Sequence, residues 1–180
     1  NFLAGFTAMA DNITSEQIIE MMKENWPNMY SPTVDLVVYM NRVNEFGIAR
    51  SRDVLADLNL TLGEFDILGA LCRSGKPHVL LPTQLQRSVL CTSGGLTKIL
   101  HQLESSGLVS RSVRERDKRC KRVHLTPKGK KVAEKAMAAV QEVRDEWLHR
   151  AYNKREMVQL KNLLQKGART LEQPEASQSF

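Results

Sequence analysis

A change of hydrophobic period at Gly107 constrains this chain more than any other feature. Before that glycine, apolar residues recur at helical spacing. After it, Leu108-Val109-Ser110-Arg111-Ser112-Val113 and Arg122-Val123-His124-Leu125 alternate, as paired strands do. From Arg111 to Arg122 there are seven basic residues (Arg111, Arg114, Arg116, Lys118, Arg119, Lys121, Arg122) against Glu115 and Asp117, a local net of +5. The whole 180-residue chain carries only +6, so one hairpin holds most of the excess. The expected arrangement is two strands around a charged loop, suited to gripping phosphates because each cation placed on phosphate releases condensed counterions.

Helices frame this hairpin. Thr14 and Gln17 form a capping box ahead of Ile18, Ile19, Met22 and Trp26, a short amphipathic helix that ends at Pro27. Ser31-Pro32 opens a long helix with Val34, Val37, Val38, Asn41, Phe46, Leu55 and Leu58 near one stripe, and Gly47 is expected to loosen it midway. Thr61 and Glu64 repeat the capping box before Phe65, Leu68 and Leu71, and Gly75 with Pro77 closes that helix. Val79–Leu81 is long enough for a single short strand. Pro82 then starts a brief helix with Leu85 and Val89, and Thr92 or Ser93 caps another in which Leu96, Ile99, Leu100 and Leu103 face inward. Two short helices with a tight connection predict a helix-turn-helix. Beyond the hairpin, Thr126-Pro127 begins a long helix with Val132, Ala133, Ala136, Val140, Val143 and Trp147. Asn153 with Glu156 caps a last one carrying Met157, Leu160, Leu163, Leu164 and Leu171.

The second helix of the pair begins with Ser93, Gly94, Gly95, Thr97 and Lys98, small or hydrogen-bonding groups at the end a recognition helix points toward base edges. Bulkier residues there would hold it out of a groove. Other chemistries lack support. No apolar run is long enough to span a membrane. Cys72, Cys91 and Cys120 have no paired spacing, which fits a reducing, cytoplasmic compartment and neither disulfides nor zinc. Cys91 before a helix start and Cys120 among cations leave a thiol-based redox response as one alternative. His78, His101, His124 and His149 show no metal-ligand spacing, no cofactor is implied, and no nucleophile–base pair or glycine-rich phosphate loop points to an enzyme.

At Leu62-Gly63-Glu64-Phe65-Asp66-Ile67-Leu68, Thr92-Ser93-Gly94-Gly95-Leu96-Thr97, Leu103-Glu104-Ser105-Ser106-Gly107-Leu108-Val109, Asp117-Lys118-Arg119 and Val123 to Gly129, the chain resembles the MarR family of bacterial transcriptional regulators over roughly residues 32–171. The resemblance implies a mainly α (α+β) fold, a winged helix-turn-helix with long N- and C-terminal dimerisation helices, in a homodimer that binds pseudo-palindromic double-stranded DNA and usually represses. The implied division is a leader at 1–13 expected to be disordered, N-terminal helices at 14–60, the DNA-binding domain at 61–126, dimerisation helices at 127–172 and a mobile tail at 173–180. Met9 reads as a possible native start.

Carried over residue by residue, the resemblance places Ser93, Gly95, Thr97 and Lys98 at the major groove, with Thr92 at the helix start. Asp117 and Arg119 fill the wing's aspartate-x-arginine motif, flanked by Arg114, Arg116, Lys118 and Lys121. A carboxylate can hold a guanidinium fork, and arginine suits narrow, negative grooves. The extra helix carrying Trp26 is similar to that of the urate-responsive branch, in which such a tryptophan and an acid matching Asp66 contact a ligand. Ile99 stands where that branch has an arginine, which implies a less anionic effector, phenolic or planar aromatic. A ligand-insensitive architectural DNA binder is the other alternative.

Overall fold

A computed structural model describes residues 13–89, 93–114 and 117–172, with the side chains of Ser93 and of residues 113–121 outside the description. The leader up to residue 12, Cys91, Thr92, Arg116 and the tail from 173 therefore lie outside the described residues. In chain order come α1 (Ser15–Asn25), a 3-10 turn (Pro27–Met29), α2 (Pro32–Asp57), α3 (Leu62–Arg73), β1 (Val79–Leu80), α4 (Pro82–Ser88) and α5 (Ser93–Ser105). They are followed by β2 (Val109–Arg114), β3 (Asp117–Leu125), α6 (Pro127–Ala151) and α7 (Lys154–Glu172). The chain divides into two compact units, Asn1–Arg52 and Asp53–Phe180.

In the first unit the capping box closes on both sides: Thr14 N–H donates to Gln17 Oε1 at 2.8 Å, and Gln17 N–H donates to Thr14 Oγ1 at 3.2 Å. Arg42 Nη2 donates to the Ile13 carbonyl at 2.9 Å, tying the start of α1 to α2. At the other end Tyr30 Oη donates to Asp35 Oδ2 at 3.0 Å, while the Lys23 ammonium sits 5.3 Å from the Tyr30 ring centroid. Gly47 does not loosen α2, contrary to the sequence expectation. The helix runs unbroken through it, and the buried Ser51 donates its hydroxyl to the Gly47 carbonyl at 2.7 Å. Within the single chain, Val37, Asn41 and Phe46 of the expected α2 stripe are exposed.

The second unit has its core in the helix-turn-helix. Leu55, Ile67, Leu68, Leu71, Leu85 and Leu103 are fully buried and pack with Leu96, Leu100, Val123 and Val140. Each such leucine contributes about 1.5–3 kcal/mol relative to an exposed one. Thr61 and Glu64 cap α3 reciprocally, as their spacing predicts. Past Ser74, Gly75 turns in the left-handed region (φ +73°) and a cis Lys76–Pro77 bond leads into β1.

The sheet has the order β1-β3-β2, all antiparallel, with Val79 opposite His124 and Ser110 also opposite His124. The charged segment is not the loop expected from the sequence. β2 continues to Arg114 and β3 starts at Asp117, with Val113 opposite Lys121. Backbone pairing does not depend on side-chain charge, so a charged stretch can extend a ladder as long as its side chains reach water.

Candidate nucleic-acid interface

The second unit places the end of α5 against the hairpin through a short, tightly bonded connection. Gly107 adopts φ +70°, Leu108 N–H donates to the Leu103 carbonyl and Gly107 N–H to that of Glu104, both at 2.9 Å. This paired pattern ends a helix and reverses the chain. Thr126, which caps α6 by accepting from Gly129 N–H at 2.9 Å, donates to the Gly107 carbonyl at 2.8 Å. Lys128 Nζ donates to the Ser106 carbonyl at 2.8 Å. The C-terminal end of α5 is thereby fixed to the start of α6, leaving the opposite end to face outward.

At that outward end, Gly94, Thr97 and Lys98 are exposed and Gly95 is half-buried. A Cβ at Gly94 would meet nothing within 4 Å, so the surface of α5 is open at that position. Ile99, one position on, turns inward. A Cβ at Gly63 would lie 2.7 Å from its Cδ1, so α3 and α5 touch there, one helical turn ahead of Asp66. Asp66 is half-buried, and this burial raises its carboxyl above the usual range, opposed by the Arg73 and Arg144 guanidinium groups. Trp26 belongs to the first unit, where it caps α1 and is 49% exposed.

On the hairpin, Arg114, Asp117, Lys118, Arg119 and Lys121 hold strand positions but their side chains lie outside the described residues, as do Thr92 and Arg116 altogether. Ser112, opposite Arg122 in register, brings Oγ within 2.6 Å of His124 Nε2 on the exposed face. Arg111 behaves differently. Its Nε lies 3.2 Å from Glu104 Oε2 on α5. Charge counting groups Arg111 with the phosphate-gripping cations and does not single out Glu104. The phase of the strand, Val109 then Arg111, was the available signal. Among the described residues no cluster of histidine, cysteine, aspartate or glutamate could hold a metal, and no helix is long and apolar enough to cross a membrane.

The family model described as MarR family matches residues 57–119, which run from the end of α2 through the helix pair into the hairpin. The HTH-type transcriptional regulator PecS of Dickeya dadantii is 29% identical over 122 residues, covering 67% of this chain and 73% of PecS. The helix pair and hairpin of this chain are thus similar to those of the MarR family. A mutant MarR from E. coli, solved in complex with operator DNA, superposes with a TM-score of 0.64 at 26% identity, covering 81% of this chain and 96% of that one. NadR, solved in complex with 4-hydroxyphenylacetate, matches with a TM-score of 0.59 at 26% identity, covering 78% of this chain and 94% of that one. By these matches the chain is similar to DNA-binding transcriptional regulators, and it has the winged helix-turn-helix of the solved MarR structure, its small three-stranded sheet forming the wing.

Proposed function

We propose that this protein works as a homodimeric repressor of the MarR family that grips a pseudo-palindromic operator and lets go when a small aromatic effector binds. The observation that carries the DNA side is the exposure of Gly94, Thr97 and Lys98 at the start of α5, in a chain whose hairpin has a net charge of +5. In this reading Thr92, Ser93, Gly95, Thr97 and Lys98 meet the major groove, and Arg114, Arg116, Lys118, Arg119 and Lys121 serve the minor groove and phosphates, with Asp117 orienting Arg119. The dimer is supported by apolar side chains left bare in the single chain: Leu36, Tyr39, Met40 and Val43 on α2, and Leu163, Leu164 and Leu171 on α7. A relative bound to 4-hydroxyphenylacetate supports a phenolic effector class, and Trp26, Asp66 and Ile99 are the candidate contacts.

The test is equilibrium binding to genomic fragments selected by the purified protein, across a salt series. Arg119→Ala and Lys98→Ala are each expected to weaken binding, and each lost phosphate contact lowers the log–log salt slope by about 0.9. Unchanged affinity and slope for Arg119→Ala would remove the wing assignment. Titration of Trp26→Phe and Asp66→Asn with phenolic and planar aromatic compounds tests the effector residues; unchanged compound affinity in both would place its site elsewhere.

A further inference from the structure

Arg111 sits on the wrong face of the wing to be a DNA contact. β2 alternates Val109, buried at 2%, with the exposed Ser110, and Arg111 has the phase of Val109. Its partner across the ladder is Val123, fully buried. The guanidinium therefore points toward the body of the domain, where its side chain is only 21% exposed, and it meets the Glu104 carboxylate in the last turn of α5. That end of the helix also carries the negative pole of the backbone dipoles, a second attraction for a cation. Nε and Nη2 are both buried without a hydrogen-bond partner among the described residues, so the charge of the nearby carboxylate, not a hydrogen bond, is the main compensation for removing the guanidinium from water.

We infer that the Glu104–Arg111 pair is a positioning device that sets the wing's orientation on the recognition helix, and that Arg111 belongs to it and not to the phosphate-binding set. The inference rests on the DNA-binding reading above for its functional consequence, though the anchor itself does not. Thr126 and Lys128 fix the end of α5 to α6, while the pair bridges the same end of α5 to the wing strand. A rigid α5–β2 unit keeps the exposed Gly94, Thr97 and Lys98 and the cationic hairpin at a constant separation, which gripping one duplex at two grooves requires.

The sign of one substitution separates this reading from plain electrostatics. Glu104→Gln removes a negative charge from a DNA-binding lobe, and long-range attraction alone predicts tighter binding. The positioning role predicts weaker binding, by about fivefold, with the double variant Glu104→Gln/Arg111→Gln no worse than Arg111→Gln alone. The salt slope of Arg111→Gln should match wild type, because no phosphate contact is lost.

The experiment measures affinity of full-length protein for a fluorescein-labelled, mixed-sequence 24-base-pair duplex over a salt series, together with hydrogen exchange of the free protein. Glu104→Gln is expected to speed exchange in residues 109–125 and to leave α3 unchanged. The charge-exchanged variant Glu104→Arg/Arg111→Glu is expected to restore protection and part of the affinity. Tighter duplex binding by Glu104→Gln, or a salt slope lowered in Arg111→Gln, would overturn the inference. Wing exchange unaltered by Glu104→Gln would overturn it too. If Glu104→Gln speeds exchange in the wing but the wild-type protein fails to bind any duplex, the DNA-binding reading is overturned and the anchor stands.

Discussion

Replacing Gly129 with alanine should destabilise the protein although it sits in a helix, where alanine is normally preferred by about 1 kcal/mol. Gly129 is in the first turn of α6, and a Cβ there would run into the Leu108 carbonyl oxygen, with the carbonyl carbon at 2.8 Å and Leu125 Cδ1 at 3.0 Å. The obstacle is backbone, so α6 must move. Movement stretches the contacts that Thr126 makes to Gly107 and to Gly129. Overpacking costs about 1–3 kcal/mol, and each weakened hydrogen bond about 1 kcal/mol. After the propensity gain is subtracted, a net loss of about 2–4 kcal/mol remains, or roughly 4–16 °C in Tm for a chain of this length.

Gly167 provides the matched control. It lies in α7, a Cβ there would meet nothing within 4 Å, and Gly167→Ala should therefore gain about 0.5–1 kcal/mol from propensity alone. Thermal unfolding followed by circular dichroism of the two variants, side by side, decides the matter. A Gly129→Ala protein that melts at or above wild type would refute the close approach of α6 to the start of β2.

Further expectations follow from single groups. Burial lifts the Asp66 carboxyl above its usual 3.8, so the native state binds a proton more tightly than the unfolded chain and loses stability as pH rises through the interval just above 3.8. Asp66→Asn should consequently out-melt wild type at pH 7, with the difference closing below about pH 4; a difference that grows on acidification contradicts the assignment. Burial and the nearby Glu134 push the Cys72 thiol up, so iodoacetamide should modify it more slowly at pH 7 than a free cysteine, and fast labelling mapped to Cys72 by mass spectrometry would count against that environment. Sedimentation at micromolar concentration should give a particle about twice the 20.4 kDa chain mass, and a purely monomeric boundary would exclude the proposed dimer.

Features written in neighbouring residues were legible before the structure. The caps at Thr14, Thr61 and Thr126 bond to groups three residues away, so their spacing alone specifies them. The inward face of α5 was equally plain, since Leu96, Leu100 and Leu103 are held by one helical stripe. Pairing of β1 with β3 was not, because two residues carry no period and the partner of Val79 is His124, far along the chain. The bare stripe on α2 shows a different limit. Periodicity tells which side chains share a face, but Val37 and Phe46 stay exposed in the single chain, and whether such a face meets anything is not written in the helix itself.

The wing illustrates why counting charges misleads about a strand. A net of +5 within twelve residues is a property of composition and does not depend on direction. A strand, however, sends successive side chains to opposite faces, so cations at odd and even positions meet different surroundings. Arg111 shares its phase with Val109 and stands opposite Val123, and a cation on that face needs a carboxylate within reach. Glu104 is available because Gly107 folds β2 back toward the end of α5. The two charges are thus brought together by the glycine at which the hydrophobic period changes, so the turn that starts the wing also determines which of its cations is withheld from the DNA.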